Sequence, residues 1–149
     1  MIILDTNVIS ELGRDHATSA AAEWLDRQPR DELYTTAITI GELAYGVARL
    51  PASRRRAQYA ATLAEILTEA FSGRILPYDH LAAVEFGDLQ ARRVAIGRPC
   101  DEPDVQIAAI AKLHSATIAT RNTAHFDHDG VEVVNPWGDG RRGADWQGE

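Results

Sequence analysis

Three acidic residues, Asp5, Glu42 and Asp104, stand at comparable places along the chain and are the group whose combination can do chemistry. Asp5 closes the apolar run Ile2-Ile3-Leu4. Glu42 follows Thr39-Ile40-Gly41 near the start of a helical pattern, and Asp104 follows Asp101-Glu102-Pro103 near the start of another. Each has an ordinary structural role open to it. Asp5 suits the N-cap of the next turn, Thr39 with Glu42 fits a capping box, and Asp104 complements a helix dipole. Together they point elsewhere. Strand ends and the helix starts behind them lie at the carboxyl edge of a parallel sheet, where open α/β folds bind their ligands. Carboxylates gathered there repel one another, and burial would oblige one to keep its proton. A divalent cation removes that conflict. Mg²⁺ suits such a site because it takes oxygens from a few carboxylates, keeps several waters and completes its shell with substrate phosphate. Gly46, Ala108 and Ala111 lie one or two turns beyond Glu42 and Asp104. Their small side chains leave room either for a substrate or for close helix packing.

The elements that must carry these residues can be read from periodicity. Ile2-Ile3-Leu4 is a short continuous apolar run, as in a strand buried on both faces. Helical spacing predicts helices over Ala17–Gln28, from near Thr39 to Leu50, over Ser53–Phe71, from Asp79 to Gly97, and from Val105 to Leu113. In the fourth of these, Leu81, Val84, Leu89 and Val94 are expected to face inward. Leu33–Thr36, Arg74–Pro77, Ala116–Ala119 and Val131–Val134 read as further strands. Strands alternating with helices predict an α/β fold with a central parallel β-sheet flanked by helices. Residues 1–137 form one domain on this reading, and 138–149, rich in Gly, Arg and Asp, form a loose C-terminal tail.

At 149 residues the chain is one domain's length, enough for a core without disulfides or a structural metal. A single cysteine, Cys100, excludes an intrachain disulfide, and no Cys/His cluster has zinc-finger spacing. The three apolar residues after Met1 are too few for a signal-peptide core, and no run approaches a membrane span. A cytoplasmic protein without a membrane partner is expected. The formal charge of −7 argues against a nucleic-acid ligand, but its distribution softens that. Fourteen of the fifteen basic residues are Arg, the better bidentate phosphate ligand. Arg54-Arg55-Arg56, Arg92-Arg93 with Arg98, and Arg141-Arg142 are grouped, as solvated faces or as phosphate contacts.

Five segments in order give the chain a family likeness: Leu4-Asp-Thr-Asn-Val-Ile-Ser-Glu11, Thr36-Ala-Ile-Thr-Ile-Gly-Glu-Leu-Ala-Tyr-Gly46, Asp104-Val-Gln-Ile-Ala-Ala-Ile-Ala111, Ala119-Thr-Arg-Asn122 and Asn135-Pro-Trp137. Over nearly its whole length the chain resembles the PIN-domain ribonucleases, specifically the VapC-type toxins of bacterial toxin–antitoxin pairs. The resemblance implies a PIN-like fold and an endoribonuclease dependent on Mg²⁺ or Mn²⁺, with Asp5, Glu42 and Asp104 as catalytic metal ligands. It also implies a homodimer silenced by a cognate antitoxin protein. The chemistry expected is metal-assisted hydrolysis of RNA phosphodiester bonds. Thr6, Asn7 and Thr120 are candidates for hydrogen bonds to substrate or to the ligands, and Arg121 for a phosphate contact. Relatives often carry a fourth acid directly after the Thr-Arg pair or three residues further on. Here those positions are Asn122 and His125, with Asp101 and Glu102 as nearby acids. A catalytically impaired PIN-like module that binds RNA or protein is the alternative. An aspartyl phosphotransferase would want a second acid beside Asp5 and a late strand-end Lys, and the chain has neither.

Overall fold

The computed structural model describes residues 1–13 and 19–138. Five strands form the sheet: β1 (Ile2–Leu4), β2 (Leu33–Thr36), β3 (Ile75–Leu76), β4 (Thr117–Ala119) and β5 (Glu132–Val134). Their spatial order is β3-β2-β1-β4-β5, and every neighbouring pair is parallel. The chain builds outward from β1 on one side as far as β3, then crosses to the other side for β4. The topological switch therefore falls between β1 and β4, where Leu4 pairs with Ala119. The residues just past that register, Asp5 and Thr120, open the crevice that such switch points create.

Six helices flank the sheet: α1 (Thr6–Leu12), α2 (Ala20–Asp26), α3 (Ala37–Ala48), α4 (Arg54–Glu65), α5 (His80–Ala95) and α6 (Glu102–Leu113). Alternation along β1 sends Ile3 into one core and Leu4 into another. Ile3 packs with Leu76, Leu89, Ile118 and the inner face of α6. Leu4 packs with Val8, Ile9, Leu25, Leu33 and Phe71. Both residues are wholly buried, as the unbroken apolar run anticipated.

Several elements depart from their sequence-based outlines. The start expected for α2 at Ala17 lies outside the described residues. The described helix begins at Ala20, behind Ser19, whose Oγ accepts from the Ala22 amide at 3.2 Å. Helix α3 starts earlier than Thr39. Its N-cap is Thr36, whose hydroxyl accepts from the Thr39 amide at 3.1 Å. Thr39 is thus already inside the helix, and the capping box with Glu42 does not form. The long helix anticipated over Ser53–Phe71 runs as α4 to Glu65 and then widens into a π-helical segment, Ile66–Ala70, closed by Phe71 N–H on the Ile66 carbonyl. Gly73, at φ +71°, then takes a left-handed turn that a side chain would resist.

The largest correction concerns α5. Leu81, Val84 and Val94 are exposed, while Ala82, Leu89 and Arg93 are buried. That inward row is also helical in spacing, but it contains an arginine. Arg93 is no phosphate ligand. Its Nε and Nη2 bond the two carboxylate oxygens of Asp129 at 2.6 and 2.5 Å, with both side chains out of solvent. The Cβ of Ala108 and of Ala111 lies in the fully buried core, so helix packing rather than substrate access explains those residues. Most of the expected tail, 139–149, and the pair Arg141-Arg142 fall outside the described residues. Trp137 packs against the core on the Leu4 side. No helix among the described residues is long and apolar enough to cross a membrane.

Candidate active site

Asp5 ends β1 and begins α1, and its carboxylate serves both positions. Oδ1 accepts the Thr6 amide at 2.7 Å, the N-cap bond. Oδ2 accepts the Thr120 hydroxyl at 2.7 Å and the Asn7 amide nitrogen at 3.0 Å. The cap suggested by the sequence is therefore real, and it leaves half of the carboxylate to be held by residues from the far side of the switch point. Asn7 completes the bridge. Its Nδ2 donates to Thr120 Oγ1 at 3.2 Å, and its Oδ1 accepts the Arg121 amide at 3.1 Å. Thr120 Oγ1 also accepts the Asn122 amide at 3.1 Å. A closed polar lattice thus joins residues 5–7 to residues 120–122.

Glu42 reaches the same edge from the middle of α3, and Thr6 Oγ1 donates to its Oε2 at 2.5 Å. Asp104 approaches from the first turn of α6, where its 18% exposed side chain accepts at Oδ2 from two groups. His125 Nδ1 lies at 2.7 Å and the Cys100 thiol at 3.7 Å. Thr6, Asn7 and Thr120, expected to bond either substrate or ligands, spend their polar groups on the carboxylates. Arg121 extends to the surface, its guanidinium 4.1 Å from the Trp137 ring centroid in a cation–π contact.

Asp5 and Glu42 both sense the charge of Asp104. Burial pushes the Asp5 carboxyl above its ordinary range; its hydrogen bonds from Thr120 and Thr6 oppose this, and the charge of Asp104 reinforces it. Burial likewise raises Glu42, against the Thr6 hydrogen bond, and the charges of Asp5 and Asp104 add to the shift. This is the conflict that a cation relieves. The set offers oxygen donors alone, which fits Mg²⁺ or Mn²⁺. Asp5, Glu42 and Asp104 do not form a cluster closed enough to chelate an ion directly with all three. Among the described residues the group whose donor atoms all lie within 4.8 Å of one another is Cys100, Asp104 and His125. An ion held by the three acids would keep waters between itself and some of them, as Mg²⁺ ordinarily does.

His125 sits against Asp104, so of the positions where a fourth acid was sought, this one reaches the site. Asn122 caps the short 3₁₀ turn Thr123–His125 by its backbone position, and Asp101 and Glu102 are exposed at the start of α6. Asp129 is taken by Arg93. Sequence reasoning missed Cys100 as a neighbour of Asp104. The signal was available in part, because a residue just ahead of a helix lies near that helix's first turn.

Between α1, α3 and α4 runs a groove of about 890 Å³, lined by Thr6, Glu42, Gly46, Arg55, Tyr59 and Ile66 among others. Of the arginine triplet at the start of α4, Arg55 lines this groove and covers the Tyr59 ring at 5.5 Å.

Comparison with known proteins is consistent with this arrangement. The family profile described as PIN domain matches residues 2–131. The chain is 40% identical over 137 residues to VapC ribonuclease Y4jK of Sinorhizobium fredii, covering 92% of this chain and 98% of that protein. It is 39% identical over 139 residues to Toxin FitB of Neisseria gonorrhoeae, covering 93% and 100% respectively. The solved structure of FitAcB from Neisseria gonorrhoeae superposes with a TM-score of 0.85 at 38% identity, over 93% of this chain and 100% of that one.

Proposed function

This chain belongs to the PIN-domain family, and from that premise we propose that it is a divalent-metal-dependent endoribonuclease acting as the toxin of a toxin–antitoxin pair. The observation that carries the reading is the placement of Asp5, held by Thr120 and Asn7, and of Glu42, held by Thr6, at the carboxyl edge of the sheet, where the charge of Asp104 acts on both. Asp5 and Glu42, raised by burial yet held in place by Thr6, Asn7 and Thr120, have little structural purpose without a cation. Asp5 and Asp104 would be the principal metal ligands, with Glu42 a ligand directly or through water. When bound there, Mg²⁺ or Mn²⁺ supplies acidity to a water and positive charge to a phosphodiester undergoing in-line attack. Thr120 and Asn7 orient Asp5 and oppose the rise in its pKa, and Thr6 does the same for Glu42. Arg121, exposed beside the site, binds an RNA phosphate.

Partners follow from the same reading. A cognate antitoxin protein covers the acidic cleft, and the chain pairs with a second copy of itself. Tyr59 on α4 and Leu67 on the π-helical segment, 43% and 40% exposed, support the homodimer. The unit that does this is residues 1–137, since Trp137 still packs on the core.

One observation favours a second reading. His125 stands beside Asp104 where relatives often carry an acid, so the chain also fits a catalytically impaired module that binds RNA or protein. A single experiment separates the two. Purified protein is incubated with RNA in Mn²⁺ or Mg²⁺, with and without chelator, alongside Asp104→Asn. Cleavage that the chelator and the variant both abolish is expected. A folded wild type that binds RNA without cutting it overturns the nuclease reading in favour of the binding module.

A further inference from the structure

We propose that Cys100, Asp104 and His125 form a second cation site, one for a thiophilic divalent ion of the zinc type, sharing Asp104 with the carboxylate group. The donor atoms, one from each residue, all lie within 4.8 Å of one another. The thiol is 3.7 Å from Asp104 Oδ2, and His125 Nδ1 is 2.7 Å from the same oxygen. In a tetrahedral zinc site the bond lengths set ligand–ligand edges of about 3.3–3.7 Å. The sulfur–oxygen edge already has that length. The nitrogen–oxygen edge is a hydrogen bond, and it opens by a small side-chain rotation when a cation takes the place of the shared proton.

A second feature points to the same ligand. Cys100, His125 and His128 line one cavity of about 170 Å³. The cavity leaves room for a water at the fourth position. Two arginines, Arg93 and Arg98, line that cavity as well. Arg93 is neutralised by its double hydrogen bond to Asp129, so its charge does not bar a cation. His125 is 46% exposed, which leaves a path in from solvent.

Donor chemistry separates this group from the oxygen-only one. Thiolate and imidazole select zinc over Mg²⁺ and Mn²⁺, which prefer carboxylate and water. Coordination deprotonates the thiol outright and releases its proton to solvent, so thiolate and carboxylate together balance the two charges of the ion. With Oδ2 of Asp104 committed to zinc, only its other oxygen is left to the carboxylate group, and two cations so close repel. Zinc at Cys100 therefore withdraws a ligand from the carboxylate group and antagonises Mg²⁺ or Mn²⁺ there; this consequence for activity rests on the nuclease reading above.

Co²⁺ serves as the probe because thiolate ligation gives it a near-ultraviolet charge-transfer band. The full chain, titrated with Co²⁺, is expected to show that band, and so is Asp5→Asn, which damages only the carboxylate group. Cys100→Ser and Cys100→Ala are expected to lose it, and His125→Asn to bind at least about tenfold more weakly. A wild type without the band, or a Cys100→Ser protein that keeps it, overturns the site. In the second arm, RNA cleavage in Mn²⁺ is titrated with Zn²⁺. Inhibition of wild type at concentrations at least about tenfold below those needed for Cys100→Ser is expected. Equal sensitivity overturns the antagonism. An absence of cleavage throughout, with the cobalt band present, refutes the nuclease reading and leaves the site standing.

Discussion

Thr6 donates its hydroxyl to Oε2 of Glu42 at 2.5 Å, joining the first turn of α1 to the middle of α3 across 36 positions of sequence. The bond holds a half-buried carboxylate in one orientation and opposes the rise in its pKa that burial causes. Thr6→Val keeps the shape of the side chain and removes the donor. Loss of such an orienting group is expected to cost about 10- to 100-fold in metal affinity or cleavage rate. Thr6→Ser, which keeps the hydroxyl, should stay near wild type. Half-saturating Mn²⁺ concentrations for the three proteins check this. A Thr6→Val protein with unchanged metal dependence would refute the role.

Asp5 and Glu42 also carry a pH signature. Both carboxyls are raised in the folded protein, so the folded state binds their protons more tightly than the unfolded chain does. Their contribution to stability is full below the unfolded values, near the ordinary 3.8 and 4.5, and is lost as pH rises through the raised folded values. In chelator, Asp5→Asn is therefore expected to melt above wild type at neutral pH, with the gap closing as pH falls toward that range. Asn keeps the cap of α1 but cannot accept the Thr120 and Asn7 bonds that Oδ2 takes, so the change of the gap with pH, rather than its size, reports the charge. Thermal melts at several pH values decide. A gap that does not change with pH contradicts the coupling, and Mg²⁺ should raise the Tm of wild type more than that of the variant.

The Arg93–Asp129 pair is a different kind of support. It fastens α5 to the loop that carries His125, because Arg93 Nη2 also donates to the His125 carbonyl. Removing one partner of a buried pair leaves an uncompensated charge, at a cost of about 3–5 kcal/mol. Arg93→Met and Asp129→Asn should each approach that loss in urea denaturation. Arg93→Met combined with Asp129→Asn should lose less than the sum of the single changes. A single variant within about 1 kcal/mol of wild type would show the pair to be dispensable.

Arg121 offers a test of substrate contact independent of the metal. With Arg121→Ala, RNA binding should weaken and its dependence on salt should flatten by about 0.7 in logarithmic slope, one phosphate contact on a single strand. The Mn²⁺ requirement should not change. Equal slopes for the two proteins would remove Arg121 from the RNA path and leave it as a cover for Trp137.

What was legible in the sequence was local. The apolar run ending at Asp5 located β1, and the alternation of patterns gave the parallel sheet. Asp5 and Asp104 stood out because each ends or begins an element, whereas Glu42, read as near a helix start, lies in the middle of α3. The helix α5 shows where such reading fails. Two rows of residues on it have helical spacing, and the more apolar one, with Leu81, Val84 and Val94, faces solvent. The buried row includes Arg93, acceptable inside only because Asp129, 36 positions later, is there to meet it. Thr36 and Thr39 make the same point at shorter range. Either could cap α3 by type, and backbone geometry chose the earlier one, leaving Glu42 free of a capping duty. The lattice from Asn7 to Thr120 was beyond reach for the same reason: contacts between distant segments are set by topology, not by neighbours in sequence.

The position of the switch point also fixes when this chain can become dangerous during its own synthesis. Asp5 and Glu42 are made early, but the hydroxyl that holds Asp5 belongs to Thr120, 115 residues later, and β1 lacks its second neighbour until β4 exists. A nascent chain stopped before Thr117 carries all three acids on a half-built sheet. Under the proposed reading, a growing polypeptide passes most of its translation harmless, and the interval left for an antitoxin to arrive begins only as the last quarter emerges.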